Sequence, residues 1–459
     1  MSRVLAFAVA LLCGATAAWS QEISSASKPL LIENVSLIPM DREVVLEQRA
    51  VLIVDGRIEQ IAAAGEIAPP EGCVAIDGSG AFLMPGVADM HVHCWSEDDL
   101  KLYAANGVLA IRNMWGTPIQ LAWQRRNREE PDWLAPAVYT SSPILDGPKP
   151  VWPTSRAVLD PEAAKELVPS LSGRGYRALK VYNGLGKETY LALVESARSH
   201  EMAVWGHIPD AVGLETALEA KQDSIEHLSG YLMAAQGEDA PARKEPGVQA
   251  SSDHVDAGRV EALVAKTVRA GTWNCPTLIV LDHIANLDRN IEAWESRPEM
   301  AFVSPAMRES WDPKRDFRFQ SASSERYDRM RANALFYKGL ASKLHEAGAP
   351  LLLGTDAPNP YVVPGFSIHD ELARLVAAGL SPYEALRAGT AGAAKFLGEE
   401  EQFGTIAVGR RADLVLLNEN PLEDVASFQK RRGIILRGTW YTESALQERL
   451  AAIAEKYAK

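Results

Sequence analysis

Five residues of this chain stand at the ends of short apolar runs and carry side chains that bind cations: the pair His91 and His93, then His207, His227 and Asp356. A sixth, Lys180, sits inside such a run, Arg177-Ala-Leu-Lys-Val-Tyr182. Strand side chains alternate, so Ala178, Lys180 and Tyr182 share one face while Leu179 and Val181 share the other. His91 and His93 share a face for the same reason. Imidazole is the commonest neutral nitrogen ligand for zinc and related ions. A protonated lysine has no lone pair to give. A lysine made neutral by burial can react with carbon dioxide to form a carbamate, an anion able to bridge two cations. Four histidines, that carbamate and Asp356 would then be the six ligands of a two-metal site. If Lys180 is instead a salt-bridged core lysine, the site is mononuclear. His200, His254, His283, His345 and His369 carry no spacing signal and read as ordinary packed or surface histidines.

Elements that place these residues follow from the apolar pattern. Runs with strand character occur at 86–93, 107–113, 136–142, 177–182, 202–207, 224–229, 273–281 and 351–356. Helical patterns separate most of them, such as Lys187 to His200 and Asp256 to Ala270. Eight strands alternating with helices predict a (β/α)₈ TIM-like barrel over 85–402, with catalytic groups at the C-terminal ends of its strands. Ser381-Pro-Tyr-Glu384 is a capping box that starts a helix expected to run to Gly398. Residues 282–330 break the alternation with a polar, aromatic insertion containing Trp294, Trp311 and Phe317, read as a helical lid. At the flanks, Ala50–Val54 and Arg57–Ile61 around Asp55-Gly56 signal a hairpin. Further strands are expected at Gly404–Val408, Ala412–Leu417, Gly433–Leu436 and Thr439–Tyr441. Residues 29–84 and 403–442 thus predict one small β-sandwich domain formed from both chain ends, and 443–459 a C-terminal helix.

The composition narrows the function classes. A chain of 459 residues with 47% apolar and 23% charged residues is globular and large enough for two cores. The net charge of −13 argues against nucleic acid or an anionic membrane as partner. Arg3, the apolar run Val4–Cys13 and the small residues before Ser20 read as a signal peptide over 1–20, too short to span a membrane. A secreted or periplasmic protein is expected. The three cysteines beyond it, Cys73, Cys94 and Cys275, form neither a disulfide framework nor a zinc-finger spacing.

The segments Pro85-Gly-Val-Ala-Asp-Met-His-Val-His93, Leu179-Lys-Val-Tyr182, Gly206-His207, Ile225-Glu-His227, Gly354-Thr-Asp-Ala-Pro358 and Val408-Gly-Arg-Arg-Ala-Asp-Leu414 occur in that order. In them the chain resembles the amidohydrolase superfamily, specifically its imidazolonepropionase-like and Xaa-Pro dipeptidase-like members, over roughly 29–442. The resemblance implies a binuclear centre holding two divalent metal ions, zinc by default. His91, His93 and Asp356 would bind one, His207 and His227 the other, and carboxylated Lys180 would bridge them. It further implies a hydroxide between the metals as nucleophile, with Asp356 carrying its proton to the leaving group.

Hydrolysis of an amide is therefore expected, on a small-molecule dipeptide, N-acyl amino acid, or cyclic or xenobiotic amide. Candidate substrate contacts are Arg112, Asn113, Trp115, Tyr182 and Asn183, and Tyr231 is a candidate donor to the developing oxyanion. An ester, lactone or phosphotriester hydrolase would use the same residues. The mononuclear deaminases of the superfamily place a glutamate three residues after the strand-five histidine; here Asp210 occupies that position. A non-catalytic binding protein would have no need of all six ligands. The composite domain offers surfaces for a homo-oligomer.

Overall fold

The computed structural model describes residues 23–24, 28–240 and 250–458. The expected signal peptide lies outside them. Among the described residues no helix is long and apolar enough to cross a membrane.

Eight chain segments close into a ring of parallel strands. Val87–Val92 pairs with Val108–Asn113, which pairs with Ala137–Thr140. That third strand bends and continues as Ile144–Asp146 against Ala178–Val181, with the Ser142 amide donating to the Ala178 carbonyl at 2.7 Å. Ala203–Gly206, Ser224–Glu226 and Trp273–Cys275 follow in order. Residues 351–357 close the ring. They meet Asn274 on one side and, through Met90 N–H to Leu353 O at 2.8 Å and Asp356 N–H to His91 O at 2.7 Å, the first strand on the other. The strands read as nearly unbroken apolar runs because both faces are covered. Leu179 and Val181 pack outward with the helices, while Ala178 joins Met114 and Trp205 inside.

Two glycines show why this ring needs its sequence. A Cβ at Gly354 would lie 2.4 Å from Cys275 Sγ and 2.8 Å from the His91 amide. At Gly206 (φ +140°) it would lie 2.2 Å from the Val181 carbonyl oxygen. Each stands one or two residues before a site residue, so close strand approach sets where His207 and Asp356 emerge.

The β domain joins both chain ends in one continuous hydrogen-bonded path. Its order is Ile23–Ser24, Thr439–Thr442, Arg431–Leu436, Leu414–Leu417, Phe82–Pro85, Leu30–Leu37, Leu46–Val54 and Arg57–Ala63, with Val74–Asp77 also on Leu30–Leu37. Folding this path over brings Leu30, Ile32, Val51, Leu83, Leu416 and Ile435 into one apolar cluster, which makes the sandwich. The hairpin turns through Asp55 (φ 48°) and Gly56 (φ 74°), the left-handed pair such a turn requires.

Three expectations are corrected. Gly404–Val408 is not a strand: Ile406 still fills the sandwich core, but the segment bonds only locally and to Pro39. The strand expected over 273–281 ends at Cys275, and helix Leu278–Ala285 follows. The helix that starts at the Ser381 capping box breaks at Thr390 (φ −120°, ψ −101°) into Pro382–Gly389 and Ala391–Leu397. Breaking there lets Ala393 and Ala394 plug the barrel base beside Ala88, Met90 and Leu352. Gly398 (φ 67°) ends the second piece in the left-handed cap its type favours.

The 282–330 insertion is helical and has its own core. Trp294, Trp311, Phe319, Tyr327 and Met330 pack on Tyr361 and Val363 of the loop after the eighth strand. Trp294 and Trp311 are therefore structural, while Phe317 stands exposed. Helix Glu443–Tyr457 closes the chain, its Lys456 and Tyr457 bonded to Asp98.

Candidate metal centre

The six residues singled out by spacing converge at the C-terminal end of the barrel. The His91 ring lies 5.3 Å from that of His93 and 4.6 Å from that of His227, and His207 lies 4.9 Å from His227. Asp356 Oδ1 stands 2.9 Å from His93 Nε2 and 3.4 Å from His91 Nε2, and its Oδ2 is 3.7 Å from His227 Nε2. Donor atoms of His91, His227 and Asp356 all fall within 4.8 Å of one another. Lys180 is buried beside them, close enough that its charge depresses the pKa of His91, His207 and His227.

Protonation states follow from burial. Desolvation first, and the Lys180 charge second, push His91 and His207 well below the usual imidazole range. Burial also lowers His227. These rings are neutral and hold a lone pair. Burial brings the Lys180 ammonium down to about 8 despite the nearby Glu226 and Asp356 carboxylates, so a substantial neutral fraction exists at mild pH. Burial alone would raise Asp356, but His227 and His93 outweigh it and hold the carboxyl below its ordinary value.

Three of the four rings have one nitrogen tied outward. His91 Nδ1 meets Glu226 Oε2 at 2.7 Å, His207 Nδ1 meets Asn183 Oδ1 at 2.7 Å, and His227 Nδ1 meets Thr277 Oγ1 at 2.6 Å. A partner on Nδ1 turns Nε2 inward, which is how ligating histidines are held, and an oxygen that only accepts, as Glu226 offers His91, also places the ring proton on Nδ1. His91 Nε2 is buried without a hydrogen-bond partner, and Asp356 Oδ1 faces only the Nε2 atoms of His93 and His91. Left bare, such atoms cost stability. A divalent cation among them would satisfy both, so the donor set fits the metal that the residue types suggest.

The backbone is strained at the same place. His227 (φ 58°), Thr277 (φ 49°) and Asp356 (φ 63°) all adopt left-handed conformations at consecutive strand ends. Each costs on the order of 1–3 kcal/mol and persists where surrounding structure over-determines it, as at functional sites. Thr277 is fixed from behind by Glu371, whose carboxylate accepts the Leu278 and Ile279 amides at 2.9 and 2.7 Å at the start of helix Leu278–Ala285.

Below these candidate ligands lies a paired layer that the spacing did not reveal. Glu226 accepts both bonds from Arg112 Nη2 at 2.9 Å and one from Ser224 Oγ at 2.5 Å, as well as facing His91. Arg112 also donates to the Met90 carbonyl and to Ser224, and its guanidinium lies over the adjoining Trp205 and Phe396 rings, 5.0 and 4.9 Å from their centroids. A second group with metal-ligand proximity, His91, Glu226 and Cys275, is thereby set aside. Glu226 is already committed, and burial pushes the Cys275 thiol far up, away from the thiolate a metal needs. Asp89, also missed, accepts from the Thr355 amide at 3.0 Å and hydroxyl at 2.6 Å and ties the first strand to the eighth. Alternation held the signal: Ser224 and Glu226 share the inward face of an apolar strand, and a buried glutamate there calls for a partner such as Arg112.

The remaining expected contacts divide. Arg112 is fully buried in that ion pair and Asn113 is fully buried, its amide spent on Cys94 N–H and Thr140, so neither reaches a substrate. Asn183 serves as the anchor of His207. Tyr231 is buried with its hydroxyl bonded to Thr267 at 2.7 Å and Asn274 at 3.2 Å, which removes it from an oxyanion. Trp115 lies 5.8 Å from His93, and Tyr182 lies 4.2 Å from His207. Both stand at the site.

The model of the Amidohydrolase family matches residues 82–440. Over 156 residues the chain is 29% identical to ochratoxinase from Aspergillus niger, a stretch that is 34% of this chain and 31% of that protein. The chain thus aligns with about a third of that relative's length. Among solved structures, a bottromycin amidohydrolase superposes with a TM-score of 0.72 at 26% identity, covering 92% of this chain and 90% of its own. The A. niger ochratoxinase structure gives 0.64 at 19%, covering 90% and 95%. A Xaa-Pro dipeptidase with methionine bound in its active site gives 0.66 at 18%, covering 90% and 100%, and these last two are likenesses of fold. With the match running from the last strand of the N-terminal flank to the last strand of the C-terminal one, the chain belongs to the amidohydrolase family.

Proposed function

We propose that this hydrolase holds two divalent cations, zinc by default, and cleaves the carbon–nitrogen bond of an amide: a dipeptide, an N-acyl amino acid, or a cyclic or xenobiotic amide. One observation carries the reading: four imidazoles, an ionised aspartate and a partly neutral lysine converge, with three of the rings turned inward by partners on Nδ1. His91, His93 and Asp356 would hold one cation, His207 and His227 the other, and Lys180, carboxylated on its Nζ, would join them. When bound, the metals supply Lewis acidity toward the substrate carbonyl and a water that deprotonates near neutral pH.

The chain's own residues then have defined work. Asp356, kept ionised, accepts the proton of the attacking water and returns it to the departing nitrogen, which leaves as a neutral amine. Tyr182 accepts the Trp152 indole N–H at 2.9 Å, so its phenol is oriented, and with its pKa pushed up to about 12 it keeps its proton for donation to the carbonyl oxygen. It takes the part the sequence suggested for Tyr231.

The test is metal content per chain on protein prepared with zinc and bicarbonate, beside Lys180→Ala, together with hydrolysis of dipeptides and N-acyl amino acids. Two metals falling to one or none, with hydrolysis lost, is the expected result. One metal in both proteins would make Lys180 structural and sink the binuclear reading.

A further inference from the structure

Five aromatic side chains from separate loops line the mouth of the site. Trp95, Trp115, Trp152 and Tyr182 follow the first four barrel strands, and Phe317 comes from the insertion. The rings form an unbroken path. Trp115 lies beside His93, Trp95 is 5.3 Å from Trp115, Trp152 is 5.6 Å from Trp115, and Phe317 is 5.4 Å from Trp152. Tyr182 joins the same wall through Trp152 and reaches His207. The path thus begins at two candidate ligands and ends in solvent, where Trp95 is 41% and Phe317 53% exposed.

These rings meet edge to face or tilted, at 73°, 56° and 80°. Aromatic groups favour offset-stacked and edge-to-face contacts, so a flat guest can extend the same wall inward from Trp115 toward the candidate centre. The wall is also braced. Arg318 sits 5.4 Å from the Trp152 ring, held by Asp316 and by Asn359 Oδ1 at 3.1 Å, and Asn359 in turn donates to the Asp356 carbonyl at 2.7 Å. Insertion and ligand loop are thereby fixed to each other.

We infer that the amide cleaved here carries a planar aromatic group on one flank, which lies along the wall of Trp115, Trp152 and Phe317. This rests on the amide-hydrolase reading and names its substrate class. Two matched series test it on the zinc-loaded protein: benzoyl- and 2-naphthoyl-amino acids against the cyclohexanecarbonyl analogue, and phenylalanine against cyclohexylalanine amides. The aromatic member of at least one series is expected to exceed its saturated partner about tenfold in kcat/KM, and Phe317→Ala to cut that ratio about threefold. Phe317 is half exposed, so the variant should fold, and its melting temperature checks this. Independently of turnover, 2-naphthoate should quench tryptophan fluorescence saturably, with affinity weakened in Phe317→Ala, whereas cyclohexanecarboxylate should not. Equal rates within both series, or no saturable quenching, overturns the inference. If no amide of either series is cleaved while the quenching holds, the hydrolase reading fails and the aromatic site stands.

Discussion

Inside one barrel, two adjacent layers are built on opposite terms. The lower layer, Arg112 with Glu226 and Ser224, spends nearly every donor and acceptor it has. The upper layer, which His227 enters one residue beyond Glu226, turns ring nitrogens and the Asp356 carboxylate toward one another and leaves His91 Nε2 without a partner. Glu226 and His227 are sequence neighbours and fall in different layers. A carboxylate that meets an arginine becomes scaffold, whereas one ringed by imidazoles beside Lys180 stays available for a cation. The difference lies in what faces each group, and residue type alone does not decide it.

Removing the upper layer's partner should have the largest effect. Chelator treatment, or His91→Ala, is expected to reduce amide hydrolysis by more than about a thousandfold, restored in the native protein alone by added zinc. Turnover that survives chelation would mean that the bare acceptors are not a cation site.

Glu226→Gln attacks the junction of the layers. It leaves Arg112 buried without its counter-charge, which costs about 3–5 kcal/mol by denaturant titration. It also loosens His91, so metal affinity should fall about 10- to 100-fold. A loss of stability with unchanged metal affinity would make the lower layer scaffold only.

Glu371 offers a gentler probe from behind. Burial raises its carboxyl to about 7; its bonds to the Ile279 and Leu278 amides and the nearby Arg374 lower it, while Asp89 raises it. Because the folded value exceeds the unfolded one of about 4.3, the native state holds the extra proton between the two. Native stability should therefore fall as pH rises from about 4.5 to 7, by at most about 1.4 kcal/mol per pH unit, and Glu371→Gln should remove that slope. Parallel stability curves for the two proteins would show that Glu371 does not titrate in this window. The smallest effect is expected from Thr277→Val, which frees His227 Nδ1 and should weaken metal binding about tenfold with little change in melting temperature.

Much of this was legible because it rests on local periodicity. Alternation placed His91, His93 and Lys180 on inward faces, and apolar runs bounded by polar residues marked all eight ring segments. What escaped depends on contacts distant in sequence. The run around Arg112 left a substrate carboxylate and an internal salt bridge equally open, and only the closed ring supplies Glu226 as the partner. Tyr231 follows His227 by four residues, but the left-handed turn at His227 and Leu228 sends it toward Thr267. Gly404–Val408 has strand composition yet finds no edge to join. The helix after Ser381 breaks at Thr390 because the barrel base needs plugging, a demand invisible along the helix itself.

The composite sandwich carries a consequence for how the chain reaches its native state. Leu414–Leu417 pairs with Phe82–Pro85 about 330 residues earlier in the chain. Such a contact cannot form on the ribosome until nearly all of the protein has been made. The N-terminal strands must wait with an unpaired edge at Phe82–Pro85 while the barrel is synthesised, a state open to association with other chains. High contact order of this kind slows folding more than it weakens the product. Sealing the sheet is then a late event, and it clamps the first barrel strand, which follows Pro85 directly and bears His91 and His93.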